Sequence, residues 1–174
     1  MMSEIRNPNK VILSDKEAAR LDHLKETLNT ANVPYAILTH DLTIRSAQEG
    51  VKQGLGELAN MAPTFILWSE TGYLAAVIRG DIHLSYKKIK REPKLKNIRL
   101  ASPEEVQQVT GSEVGYVSLI NAGIITIIDS RLTEVDTIFG GCGVPRYSLK
   151  ISPRDLIVLT QAHVFDFAEP LEKV

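Results

Sequence analysis

Two segments carry residue types that could do chemistry: Gly115-Tyr-Val-Ser118 and Gly140-Gly-Cys-Gly143. Gly111 and Gly115, four residues apart, let main-chain amides approach a ligand, as the glycines of the later loop also can, and Ser118 and Asn121 add polar groups close behind. That combination suits recognition of a phosphate, ribose or carboxylate. The plain alternative for the first segment is a helix-to-strand connection without a ligand. Cys142 stands between Gly141 and Gly143, where neighbouring amides would stabilise a thiolate, so a nucleophile or a redox-sensitive thiol is one reading. No base is visible beside it, and a buried small residue in a tight loop is the preferred reading. Asp81, Asp129 and Asp136 fall near strand ends, where turn and cap roles are more common than paired carboxylate catalysis.

Between Lys87 and Arg99 lie seven basic residues (Lys87, Lys88, Lys90, Arg91, Lys94, Lys96 and Arg99), opposed only by Glu92. Such a patch can follow an RNA phosphate backbone; the alternative is a solvated helix face and loop. One cysteine excludes an internal disulfide, and the histidines (His23, His40, His83, His163) have no metal-ligand spacing, so no metal and no cofactor is expected.

The elements that must position these groups begin with serine caps. Ser14 with Glu17, Ser46 with Glu49 and Ser102 with Glu105 have the spacing of capping boxes, and Ser152-Pro-Arg-Asp155 opens a last helix. The first helix presents Ala18, Leu21, Leu24, Leu28 and Ala31 on one face and ends before Pro34. The second is expected to run to about Leu58, weakened by Gly50, Gly54 and Gly56. The third ends at Gly111, and a short basic helix from Ser85 breaks at Pro93. Strands are expected at Tyr35 to Thr39, Asn97 to Ala101, Ile124 to Asp129, Thr137 to Phe139, Tyr147 to Ile151 and Val164 to Phe167. Thr64 to Glu70 and Tyr73 to Arg79 read as a hairpin buried on both faces at the centre of the sheet.

With 174 residues, 44% hydrophobic and 24% charged, the chain has material for one core. The expectation is a single α+β domain at 14–174, with a mixed, strongly curved sheet flanked by helices, after a loosely ordered N-terminal extension at 1–13. A net charge of −1 argues against wholesale coating of nucleic acid, so any polyanion contact must be local. No apolar run reaches membrane-spanning length and Met1 to Lys10 has no signal-peptide core, which points to a cytoplasmic protein without membrane contact.

With the elements placed, the order of motifs over about Ala31 to Ala168 resembles the YbaK and prolyl-tRNA synthetase-associated editing domain family. The carriers are His40-Asp41, Ser46-Ala-Gln-Glu49, Thr64-Phe-Ile-Leu67, Gly80-Asp81 with Leu84 and Lys87-Lys88, and Ile98-Arg-Leu-Ala-Ser-Pro-Glu-Glu-Val106. Thr110-Gly111, Gly115-Tyr-Val-Ser118, Ile128-Asp129, Gly141 and Ser152-Pro-Arg-Asp-Leu156 complete the set. The resemblance implies a deacylase that hydrolyses mischarged aminoacyl-tRNA in trans, serving translation fidelity. It also implies a pocket for the aminoacylated 3′ end, with Thr64, Gly115, Ser118, Gly141 and Gly143 as substrate-binding candidates and Lys87 and Lys88 as RNA-contact candidates. Three pocket positions depart from the family. Its usual lysine before the first core strand falls on Pro63, the loop that ends in proline reads Gly115-Tyr-Val-Ser-Leu119, and the serine before the late glycine falls on Gly140. The tyrosine of some members would fall near Leu38. The catalytic group is therefore unassigned, with Lys52 or Lys87 as substitutes for the lysine in space and His40 the histidine at a family position. The alternative is a catalytically degenerate module that binds a nucleotide or a tRNA 3′ end for regulation; glycine loops packed shut would instead indicate a scaffold.

Overall fold

Ser14, Ser46, Ser85, Ser102 and Ser152 each start a helix in the computed structural model, which describes residues 12–171. Residues 1–11 of the expected N-terminal extension lie outside the described residues. The helices are α1 (Asp15–Thr30), α2 (Ala47–Lys52), α3 (Tyr86–Ile89), α4 (Pro103–Thr110) and α5 (Pro153–Thr160). The strands are β1 (Ala36–Thr39), β2 (Thr64–Ser69), β3 (Gly72–Val77), β4 (Ile82–Leu84), β5 (Ile98–Leu100), β6 (Ile125–Asp129), β7 (Ile138–Gly141), β8 (Tyr147–Ile151), β9 (His163–Phe165) and β10 (Ala168–Pro170).

The expected mixed α+β domain is found, with strands in three hydrogen-bonded sheets. Five strands follow the order β5-β2-β3-β6-β9, three the order β1-β8-β7, and β10 pairs with β4. β3, β6 and β9 run parallel while β2 is antiparallel to both β3 and β5, so the large sheet is mixed. The β2–β3 hairpin lies at its centre, as near-continuous apolarity implies. Leu74 and Ala76 of β3 pack with Ile127 and Phe167 on one face, while Ala75 on the other packs with Ile66, Val106 and Val117. Val77 joins Leu21, Leu24 and Leu28 of α1 and Leu156 of α5. Burying each of those leucines contributes about 1.5–3 kcal/mol.

Several expectations need correction. α2 stops at Lys52 rather than near Leu58, because Gly54 and Gly56 adopt φ of +81° and +144°, which no helix accommodates. Gly140 and Gly141 belong to β7, paired with Leu149 and Ser148, and not to the loop that follows. The last expected strand, Val164 to Phe167, ends at Phe165, and the chain continues as β10 against β4; both of these short strands went unforeseen. Asp129 fixes that return. Its carboxylate is fully buried, with Oδ2 accepting hydrogen bonds from Phe167 N and Ala168 N at 2.8 Å each and Oδ1 accepting one from Arg131 N at 3.0 Å.

The Ser102 box at α4 is reinforced from β5. Glu105 accepts from Ser102 N at 2.8 Å and from both Arg99 guanidinium nitrogens at 2.8 Å, and Arg99 itself lies 5.0 Å from the Trp68 ring centroid. The Arg99 hydrogen bond first, then the Ser102 amide, pulls the Glu105 carboxyl down to about 2. A depressed folded-state value means that this stabilisation is present above the ordinary carboxylate range and lost as pH falls towards 2. Glu105→Gln is therefore expected to be less stable than wild type at neutral pH, with the gap closing between about pH 4.5 and 2. Urea denaturation of both proteins across that range is the measurement; a constant gap would refute the assignment.

Candidate functional site

The two glycine-bearing segments and the Pro63-Thr64 start of the first core strand converge. Ala62 N donates to Phe139 O at 2.9 Å, which lays the entry to β2 against β7, and Leu119 N donates to Gly141 O at 3.0 Å, which lays the 115–119 segment further along the same edge of β7, the edge away from β8. Between them opens a cleft of about 520 Å³, bordered by Pro63 and Thr64, by Gly115 to Val117, and by Gly140 and Gly141. Phe65, Ile78, Ile82 and Leu84 make much of its lining apolar. It is open, so the scaffold expectation of glycine loops packed shut does not apply.

The glycines also admit close packing of the chain. A Cβ on Gly141 would lie 2.1 Å from Val117 O, and one on Gly140 would lie 2.5 Å from Leu119 Cγ. Gly115, at φ +95°, would meet Arg45 Cβ at 3.2 Å. Their bareness admits neighbouring protein chain, and the close approach they permit builds the walls of the cleft.

Thr64, Gly115 and Gly141 line the cleft; Ser118 and Gly143 do not. Ser118 Oγ accepts from Ile120 N at 3.1 Å, so its hydroxyl organises its own turn. Gly143 O accepts from Arg20 Nη1 at 2.8 Å and from Ser112 Oγ at 3.0 Å, which ties that loop to α1 and to the end of α4. Cys142 is buried beside it, and burial pushes its thiol up to about 12, as a packed small residue and not a nucleophile requires.

Thr64 Oγ1 is, among the described residues, the one buried side-chain polar atom with no hydrogen-bond partner. Buried hydroxyls are ordinarily satisfied, so an unpaired one in a cleft wall marks where a ligand atom or water would bond. Pro63 brings no donor or charge. Among the described residues no lysine lines the cleft, so neither Lys52 nor Lys87 takes the place of the missing amine. The basic side chains in the lining are Arg45 and His83. Arg45 Nε donates to Tyr116 Oη at 2.6 Å and its guanidinium carbon stands 5.4 Å from that ring's centroid, a contact that holds the cation at the cleft edge. Arg45 forms no ion pair among the described residues. Sequence reasoning passed over it because the residue before a helix cap carries no distinguishing signal.

The basic run divides. Lys88 Nζ is committed to Asp166 Oδ1 and Ala168 O, both at 2.9 Å, and Arg99 to Glu105, so these two serve the fold. Lys87, Lys90, Arg91, Lys94 and Lys96 are exposed, and Lys87 directly follows Tyr86 of the cleft lining. Among the described residues no cluster of His, Cys, Asp or Glu could hold a metal ion, and no helix is long and apolar enough to cross a membrane.

The model of the aminoacyl-tRNA editing domain matches residues 43–159. A proline--tRNA ligase of Thermotoga neapolitana is 32% identical over 90 residues, which are 51% of this chain and 15% of that protein. A proline--tRNA ligase of Treponema denticola is 33% identical over 101 residues, 56% of this chain and 16% of that one. The chain thus spans less than a fifth of these relatives. A solved structure of a hypothetical protein superposes with a TM-score of 0.78 at 27% identity, covering 84% of this chain and 99% of that one. Another, described as a candidate trans-editing enzyme for prolyl tRNA synthetase, superposes with a TM-score of 0.75 at 24% identity, covering 91% and 99%.

Proposed function

Because this chain belongs to the aminoacyl-tRNA editing domain family, we propose that it binds the aminoacylated 3′ end of a mischarged tRNA in the cleft and hydrolyses the ester, as a cytoplasmic activity supplied in trans. The observation that carries this reading is the cleft's make-up: a largely apolar hollow of about 520 Å³, with room for a whole aminoacyl group, and, among the described residues, a Thr64 hydroxyl without a hydrogen-bond partner and an arginine without an ion pair at the edge. The chamber suits an amino-acid side chain. Thr64 and the main chain of Gly115 and Gly141 face the polar part of the substrate. Lys87 and its exposed neighbours stand beside the wall where the tRNA phosphates would pass.

Ester hydrolysis builds negative charge on the carbonyl oxygen, and a fixed cation or amide there lowers the barrier. Arg45 supplies the charge that Pro63 cannot. Arg45→Gln is expected to lower kcat/KM for deacylation roughly tenfold to a hundredfold, and Arg45→Lys to lower it less. An unchanged kcat/KM in Arg45→Gln would remove Arg45 from the site.

The experiment for the reading as a whole is release of free amino acid from a panel of mischarged tRNAs. Since the curated relatives are proline--tRNA ligases, tRNA for proline is the first to assay. Turnover above the uncatalysed rate supports a deacylase. Binding to the same tRNAs without turnover would replace it with the regulatory binding module, a reading favoured by one observation, the proline at position 63.

A further inference from the structure

His40 and Ser148 form a buried pair that reaches the cleft. β1 and β8 are antiparallel, with Leu38 opposite Ser148 and Thr39 opposite Tyr147, while β7 sets Gly141 opposite Ser148. The two-residue period of a strand therefore puts Leu38, His40, Ser148 and position 141 on one face. At that face Gly141 contributes no side chain, and Ser148 borders the cleft. His40 Nε2 lies 2.9 Å from Ser148 Oγ, and both residues are buried. Arg146 holds the His40 backbone from both sides: His40 N donates to Arg146 O at 2.8 Å, and the Arg146 side chain donates through Nε to His40 O at 3.0 Å. Burial lowers the His40 pKa from its ordinary value, which keeps the ring neutral and able to accept a proton. With the ring proton on Nδ1, Ser148 Oγ donates to Nε2 and keeps its lone pairs available to accept from a water. A site without a lining lysine needs a proton acceptor, and nucleophile-to-base geometry of this length is what such chemistry uses.

We infer that Ser148 and His40 are the proton relay that activates the attacking water, Ser148 touching the water and His40 acting through Ser148 as a positioning residue and proton acceptor. The inference rests on the cleft being the deacylation site. The water oxygen bonds to the ester carbonyl carbon while one of its protons passes to Ser148 Oγ and the Ser148 proton passes to His40 Nε2. The tetrahedral species then breaks its bond to the ribose oxygen, which leaves with the proton returned from His40 through Ser148. The products are the free amino acid and uncharged tRNA, and no further reactant is consumed.

The test is steady-state and single-turnover hydrolysis of a mischarged tRNA that the wild-type chain turns over. Ser148→Ala and His40→Gln are each expected to lower kcat about a hundredfold with KM nearly unchanged, because the relay acts in the transition state and not in binding. Ser148→Thr, which keeps the hydroxyl, recovers most of the rate. A merely structural pair would instead move KM, or kcat and KM together with the unfolding midpoint. Should His40→Gln fail to fold, Ser148→Ala decides alone, since it removes one oxygen. Wild-type turnover with kcat in Ser148→Ala within about threefold of it overturns the relay and leaves the deacylase reading standing. An acyl group trapped on Ser148 overturns it too, by making Ser148 the nucleophile. Absence of wild-type turnover on the whole panel overturns both.

Discussion

Gly141→Ala is expected to destabilise the protein by about 3 kcal/mol, the upper end of ordinary overpacking, and to abolish deacylation with it. The new Cβ would stand 2.1 Å from Val117 O, a main-chain atom that cannot rotate aside. Either β7 or the 115–119 segment must shift, and both are walls of the cleft. Gly54→Ala is the control. Gly54 has a positive φ of +81° but nothing within 4 Å of a Cβ, so its cost is conformational only, about 1–2 kcal/mol, and the cleft stays intact. Urea midpoints and deacylation rates of the two variants separate the effects. Gly141 sits in strand β7 with no positive φ, so a loss no greater than that of Gly54→Ala would show that the close approach to Val117 relaxes without moving the cleft walls.

Asp129→Ala carries the other large effect, about 3–5 kcal/mol of stability. The carboxylate is 0% exposed and accepts three main-chain hydrogen bonds, from Arg131, Phe167 and Ala168. Removing it strands those donors, each costing about 1–3 kcal/mol when left unsatisfied, with incomplete additivity because they share one acceptor group. Asp129→Asn is expected to lie between alanine and wild type, since its amide offers one oxygen where two accepted and sets an NH₂ against an N–H. Thermal or urea unfolding measures this. An Asp129→Asn protein as stable as wild type would mean that the charge and the second oxygen are both dispensable.

The fold was largely legible because its signals are local. Ser14 with Glu17 and Ser102 with Glu105 close reciprocal caps through atoms three residues apart, so residue types at that spacing specify the helix start. The hairpin of β2 and β3 was equally readable from two apolar runs and a glycine. β4 and β10 were not: three residues each, they exist as strands by pairing with one another across the chain, held by Asp129 and Lys88. The cleft divides in the same way. Its borders at Pro63, Thr64, Gly115 and Gly141 follow from the order of motifs, but Arg45 and Ser148 do not, because nothing near position 45 or 148 in the chain reports what the sheet will set beside it.

By itself, then, the sequence determined the helix starts, the central hairpin, the mixed α+β class and the family, all of which depend on spacing along the chain and on the apolar period. Tertiary structure alone decided which chemical groups share the hollow. It sent Ser118 and Gly143 into local hydrogen bonds, took Lys88 and Arg99 into ion pairs, left Thr64 Oγ1 without a partner among the described residues, and set His40 against Ser148 across 108 residues. The reason is that a hydrogen bond or a van der Waals contact depends on distance in space, and that distance is fixed by strand register and by close approach at glycines rather than by position in the chain.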